Sequence, residues 1–460
     1  MPSRYVVGVR EDPRAPGASR VESVLVALLI LLLAGALIGA TVFFPAFWPL
    51  TCGIAFGVTV LAVVGRERMV VLVMLAVFAT APMYKGIAAS PSAPITPTDM
   101  LLGVAVLLAA PTLITRRANL PFPYVIGLVV VLVVGFVASL LSIAPAESLL
   151  NLVQWTYVLA ILPIFYVMWR PSGRVVRALV WGYVGGHLVS TGWAIIDGPL
   201  TNDRYLGLAH HPNAFAIGGM MSVAGLLYLW SEHRSALARA GIAVAGLLCL
   251  WSVLASGSRA STLVIAGLIL MIPFVERSAL QGFTLAGLGA LAVLSLPILA
   301  DLAGEGSALA RLTGAGDAGL ADRERDAARE SGFELFFEQP LIGHGFLDAN
   351  LILHDNLLEV AVAAGIFGLL GYLVMMFTLA RPIIGFGRYR RLCYFVWAYL
   401  GVGAAIPSLW DLAIWVPMTL AFLAAVEPQT ADRPADATDE GAPRPTAGPL
   451  RGPITSLPRG

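Results

Sequence analysis

The 460-residue chain is 58% hydrophobic and only 12% charged, with a mean hydropathy of +0.83, which excludes a water-soluble globular protein. Its 29 basic and 28 acidic residues nearly cancel, so bulk charge offers no reason for a nucleic-acid partner. Cys52, Cys249 and Cys393 stand singly in apolar runs, a pattern with neither metal-ligand spacing nor a disulfide framework, and with no Walker, Rossmann or HExxH pattern in the sequence, no metal and no cofactor are expected.

In chain order, the arginine-bearing segment 1–20 precedes the first apolar run without a small-residue cleavage pattern, so a cytoplasmic N-terminal segment is expected rather than a cleaved signal. A bilayer core about 30 Å thick needs roughly 20 apolar residues per helix. On that measure the segment 21–426 divides into runs near 21–44, 48–64, 69–82, 99–114, 122–141, 149–169, 178–196, 213–230, 241–256, 260–275, 282–300, 357–380, 392–407 and 412–426. The expected fold is therefore all-α, a polytopic membrane protein with about 12–14 transmembrane helices. The shorter runs, 69–82 and 260–275, leave the number open within that range.

Between the last two long groups of runs lies 301–356, the expected large extracytoplasmic loop, and within it Asp322 to Phe337 interleaves charges with Ala327, Ala328, Phe333, Phe336 and Phe337. That pattern predicts an amphipathic helix at the membrane–water boundary or capping the bundle. The proline-rich segment 427–460 has no apolar period and is expected to be a disordered cytoplasmic tail.

Orientation follows from the retention of Lys and Arg on the cytoplasmic side. Arginines at 4, 10, 14 and 20, at 66 and 68, at 116 and 117, at 170, 174 and 177, at 234 and 239, at 277, and from 381 to 391 fall on one side of a fourteen-span layout. This is expected to put both termini in the cytoplasm of a multi-pass membrane protein. Lys85, Arg204, Arg259, Arg311, Arg323, Arg325 and Arg329 fall on the other side, against the rule, and mark where function is to be sought.

Four short constellations gather on that outer side. Arg204 leads to His210, His211, Pro212 and Asn213; Ser258 and Arg259 lie in a tight hairpin; Arg325 precedes Pro340-Leu341-Ile342-Gly343-His344-Gly345 by fifteen residues; and His354-Asp355-Asn356-Leu357-Leu358-Glu359 is followed by Gly365-Ile366-Phe367-Gly368. Neighbouring histidines rarely chelate one ion together, and no third ligand is close, so His210 and His211 are expected to shape a turn or touch sugar rather than hold a metal.

In these residues the chain resembles the O-antigen ligase and O-antigen polymerase superfamily of bacterial envelope proteins. The resemblance covers roughly residues 200–380, with Asp355 where an asparagine is usual and Asn356 shifted by one. It implies a metal-independent glycosyltransferase in cell-envelope polysaccharide biosynthesis. Such an enzyme moves a glycan from a polyprenyl-diphosphate donor to a hydroxyl on a glycan, lipid or protein acceptor, with membrane lipids around it. The residue types suit that chemistry on their own account. Arginine offers a permanent charge and a planar fork to phosphate oxygens, so Arg259 and Arg325 are expected to converge on the diphosphate, with Arg204, His211 and Asn213 as further diphosphate or glycan contacts. His354 is the expected general base, with Glu359 orienting it or serving in its place. Two alternatives stand beside this reading: a repeat-unit polymerase of the same superfamily, and a non-enzymatic lipid or polysaccharide transporter, which calls for charges at mid-membrane depth and a repeated half.

Overall fold

The computed structural model describes residues 64–88, 95–200, 202–304, 306–314, 318–346 and 353–427. The expected runs 21–44 and 48–64, the N-terminal segment 1–20 and the tail 428–460 lie outside them. The described residues form helices and connecting turns, with no strand among them.

Helix α1 spans Arg66–Thr80, α2 Pro97–Thr115, α3 Phe122–Leu141, α4 Pro145–Trp169, α5 Gly173–Asp197, α6 Pro212–Glu232, α7 Ala236–Ala255, α8 Arg259–Glu276 and α9 Ala279–Ala303. The short α10, Ala308–Leu312, and the amphipathic α11, Ala318–Glu338, follow; α12 is Asn356–Ala380, α13 Tyr394–Gly403 and α14 Leu412–Ala425. Nine of the described helices are long and apolar enough to cross a membrane: α2 to α9, and α12 with its extension to Ile384. The expected 12–14 is not reached on length alone among the described residues, because α1, α13 and α14 are shorter. These three still pack inside the same apolar core, which holds Val77 and Phe78 of α1, Phe395 and Tyr399 of α13, and Trp415 and Phe422 of α14.

Local sequence explains where the helices start. Ser172, Ser235, Ser278 and Ser307 each accept a backbone N–H in the first turn of α5, α7, α9 and α10, and Thr96 with Asp99 forms a reciprocal capping box on α2. Each cap satisfies a donor that the helix itself leaves unpaired, for about 1 kcal/mol. Arg170 and Arg277 end α4 and α8 in the left-handed conformation.

The apolar side chains decide the environment. Only 6% of the apolar window of α9 is buried, and Leu280, Phe283, Leu294 and Leu302 each expose more than three-quarters of their surface. Water does not tolerate an apolar face of that length on a stable fold, whereas a lipid bilayer does. The protein is therefore a multi-pass membrane protein.

The two ends of the bundle differ in charge. At one end Arg116 donates to the Met168 and Trp169 carbonyls, Arg177 and Arg388 pair with Glu232, and Arg390 and Arg391 pair with Glu276. Because successive helices alternate in direction, the constellations at 204–213, 256–261 and 354–359 all come to the opposite end. The segment expected as a large loop is, where described, mostly helical: it holds the end of α9, then α10 and α11.

Candidate functional site

A cavity of about 470 Å³ opens at this second end, within the range of about 300–1,000 Å³ typical of small-ligand sites. His354 and Glu359 line it together with His211 and Asn213; Lys85, His210, Phe346, Ser408, Trp410 and Asp411 complete the polar and aromatic part of its wall.

His354 is placed by the start of α12. Asp355 caps that helix, accepting from the Leu357 and Leu358 amides at 3.0 and 3.2 Å, and the residue before the cap turns back with φ +55° at His354. Asn356 is buried and clamps the loop before α14: its amide nitrogen donates to Ser408 Oγ at 3.0 Å, and its oxygen accepts from the Ser408 amide at 3.0 Å. The asparagine displaced by one residue thus secures the wall of the cavity. Glu359 lies within the first turn of the same helix, so acid and imidazole share one wall. Burial, then the charges of Arg325 and Arg329, push the His354 imidazole below its ordinary pKa against the opposing Glu324. At neutral pH it is an unprotonated base.

The Pro340 to Gly345 turn supports that wall from beneath. The His344 amide donates to the Val362 carbonyl at 2.8 Å, the Gly345 amide to Ala363 at 3.0 Å, and the Ile366 amide to Pro340 at 2.8 Å. These bonds are available because α12 breaks at Ala364 and Gly365, where the backbone leaves helical angles and Gly365 takes φ +61°. A Cβ on Gly365 would lie 2.3 Å from the Leu341 carbonyl oxygen, and one on Gly343 2.6 Å from that of Val362. The glycines of the two motifs therefore serve one feature, a turn laid against a broken helix.

His211 accepts from the Asn213 amide at 3.1 Å through Nδ1 and so caps α6. Partial burial, with Arg204 and His210 beside it, lowers its pKa to about 4. Arg204, 9% exposed, stands behind the cavity: its Nε donates to the Ser256 carbonyl at 2.7 Å and an Nη to Asn213 Oδ1 at 2.9 Å. It thereby joins the cavity wall to the hairpin that carries Arg259.

Arg259 and Arg325 do not line the cavity. Both guanidiniums instead reach the Asp322 carboxylate on α11: Arg259 in a two-pronged pair, with one bond of 2.9 Å to Oδ2, and Arg325 at 3.4 Å to Oδ1. Arg259 holds that carboxyl below its ordinary range, with Arg325 and Arg311 adding to the effect. The two arginines are thus converged on one anionic group, and that group belongs to the protein itself. Gly332, Leu335 and Phe336 of α11 pack on Leu353 and Leu358, which sets this cluster beside the His354 wall.

Sequence reasoning placed Lys85 among the outer cations without assigning it a role, and missed Trp410 and Asp411 as cavity residues and Asp322 as the arginines' shared partner. Lys85 and Asp411 carried a signal, as charged residues at apolar span ends on the outer side. No protein-family model matches the chain, and no curated protein is detectably similar to it.

Proposed function

We infer that the protein is a membrane glycosyltransferase. It passes a glycan from a polyprenyl-diphosphate donor to an acceptor hydroxyl at the extracytoplasmic face of a bacterial plasma membrane, with both termini in the cytoplasm. The single observation that carries this reading is the convergence of Arg259 and Arg325 on one carboxylate, beside a cavity into which a neutral His354 faces. Two guanidiniums already spaced for one anion suit a diphosphate, whose oxygens would take the place of the Asp322 carboxylate.

The step balances on these residues. His354 takes the proton of the acceptor hydroxyl as its oxygen attacks the anomeric carbon. The bond from that carbon to the diphosphate oxygen breaks, and the electron pair leaves with the polyprenyl diphosphate. Arg259 and Arg325 favour the departing charge. His211 and Asn213 contact the glycan, Arg204 holds Asn213 in register, and Glu359 orients His354 or serves as base in its place. Arginine-rich charge at the opposite end supports the cytoplasmic assignment of the termini through the positive-inside rule.

The test is release of free polyprenyl diphosphate by purified protein in nanodiscs, supplied with a lipid-linked glycan pool from the host in the presence of a chelator. Release by the wild type, lost in His354→Ala, Arg259→Ala and Arg325→Ala variants that stay folded, supports the reading. Lipid binding without release, or variants as active as the wild type, overturns it in favour of a transporter.

A further inference from the structure

Of the 29 basic residues, 28 are arginine; Lys85 is the only lysine in the sequence, and it lines the cavity rather than the lipid-facing surface or the arginine-rich end. Its position is tightly determined. Gly86 lies against the segment preceding the histidine pair, so close that a Cβ there would sit 1.9 Å from the Leu208 carbonyl oxygen. On the other side Tyr84 is buried near Asp411. Lys85 is therefore held between a backbone contact at the segment before His210 and a buried tyrosine.

Among the described residues neither Asp411 nor Glu359 forms an ion pair with Lys85, although both line the same cavity. Asp411 caps α14, accepting from the Ala413 amide at 2.8 Å. The Lys85 ammonium meets the Tyr84 ring at 5.6 Å from its centroid, a contact worth about 0.5–1 kcal/mol when exposed and weaker than a hydrogen-bonded ion pair in such a pocket. An ammonium with three donors faces a cavity it shares with His210; burial and then the Lys85 charge disfavour protonation of that histidine against the opposing Asp411 charge, leaving it able to donate one N–H.

We propose that Lys85 and His210 form an anion subsite inside the cavity, separate from the Arg259–Arg325 pair, that receives a carboxylate or phosphate oxygen of a substrate. The proposal rests on the glycosyl-transfer reading for its substrate class: it makes the sugar bound in the cavity an acidic or phosphorylated one. A lysine suits this place because a compact point charge accepts a single oxygen from many directions, where a guanidinium fork would demand a planar pair.

The single lysine makes the test chemical. Purified full-length protein in nanodiscs, with a lysine-free tag, is reductively methylated with isotope-labelled formaldehyde. Modification of the Lys85 peptide is followed by mass spectrometry against the N-terminal amine as internal reference. Glucuronate, inorganic pyrophosphate and glucose are the probes. At ten times its half-protecting concentration an anion is expected to slow Lys85 modification about tenfold by mass action, without affecting the reference amine, while glucose has no effect. His210→Ala is expected to raise the half-protecting concentration. Protection by glucuronate alone assigns the subsite to a uronic acid, and protection by pyrophosphate alone assigns it to a phosphate. The proposal is overturned if neither anion protects, if glucose protects equally, if Lys85 does not react at all, or if Arg259→Ala with Arg325→Ala abolishes the protection. None of these outcomes depends on turnover, so failure here is distinguishable from failure of polyprenyl diphosphate release.

Discussion

In the proposed transfer His354 is the general base, and its backbone sits at φ +55°, a conformation that costs an L-residue about 1–2 kcal/mol relative to glycine. Glycine at this position therefore removes the imidazole while relieving the backbone. His354→Gly is expected to lose about 10²- to 10⁴-fold in transfer rate, the contribution of a general base, to lose no thermal stability, and to recover part of the rate when free imidazole is added. Lost stability without rescue would make the residue structural. Because the folded His354 pKa lies below its ordinary value, the rate should be flat above about pH 6.5 and fall only as the pH descends through the lowered pKa. The same shift makes stability fully present above about pH 6.5 and lost as the pH falls toward the folded value, since the unfolded chain binds that proton first. Asp322 has the opposite character: it holds the Arg259 and Arg325 guanidiniums, which the proposed diphosphate would have to take from it. Asp322→Asn is expected to tighten binding of polyprenyl diphosphate, measured by equilibrium binding in nanodiscs, and weaker binding would show that the carboxylate orients the arginines instead.

Among the elements, the most informative pair is α12 and the turn before it. The Pro340 to Gly345 turn and the Gly365 to Gly368 segment were legible as motifs, yet their relation was not, because a hydrogen bond between residues 18 to 26 positions apart depends on where the helix breaks. In the structure the break at Gly365 frees the Val362 and Ala363 carbonyls, and the turn supplies the amides. Gly365→Ala would bring a Cβ to 2.3 Å from the Leu341 oxygen in a left-handed conformation. It is expected to destabilise the folded protein by about 1–3 kcal/mol and to reduce transfer together with stability, as read by thermal unfolding in detergent. Asp355→Ala removes a cap for about 1 kcal/mol. The α11 helix was foreseeable from its interleaved charges and phenylalanines, and its extent, Ala318–Glu338, contains the predicted segment. Which acid on it would meet Arg259 was not foreseeable, because Asp322, Glu324 and Asp326 are equivalent in sequence.

At the scale of the whole molecule, alternating helices separate an end rich in arginine–glutamate pairs from an end that holds the cavity. If the cavity end is extracytoplasmic, a membrane-impermeant thiol reagent added to intact cells should label Glu324→Cys and spare Arg234→Cys, both being exposed positions, in a chain whose Cys52 is serine. The reverse pattern would invert the orientation and remove the donor side proposed above. Composition and the length of the apolar runs by themselves determined an all-helical, multi-pass membrane protein, because burying a helix in lipid requires only about 20 consecutive apolar residues and is a local property of the chain. The side on which the uncommon cations gather was equally local. Only the tertiary structure decided that Arg259 and Arg325 share Asp322, that Arg204 braces Asn213, and that Lys85 enters the cavity with His354. Each of those meetings joins residues from separate helices or loops, and the packing of the intervening helices sets the distance between them.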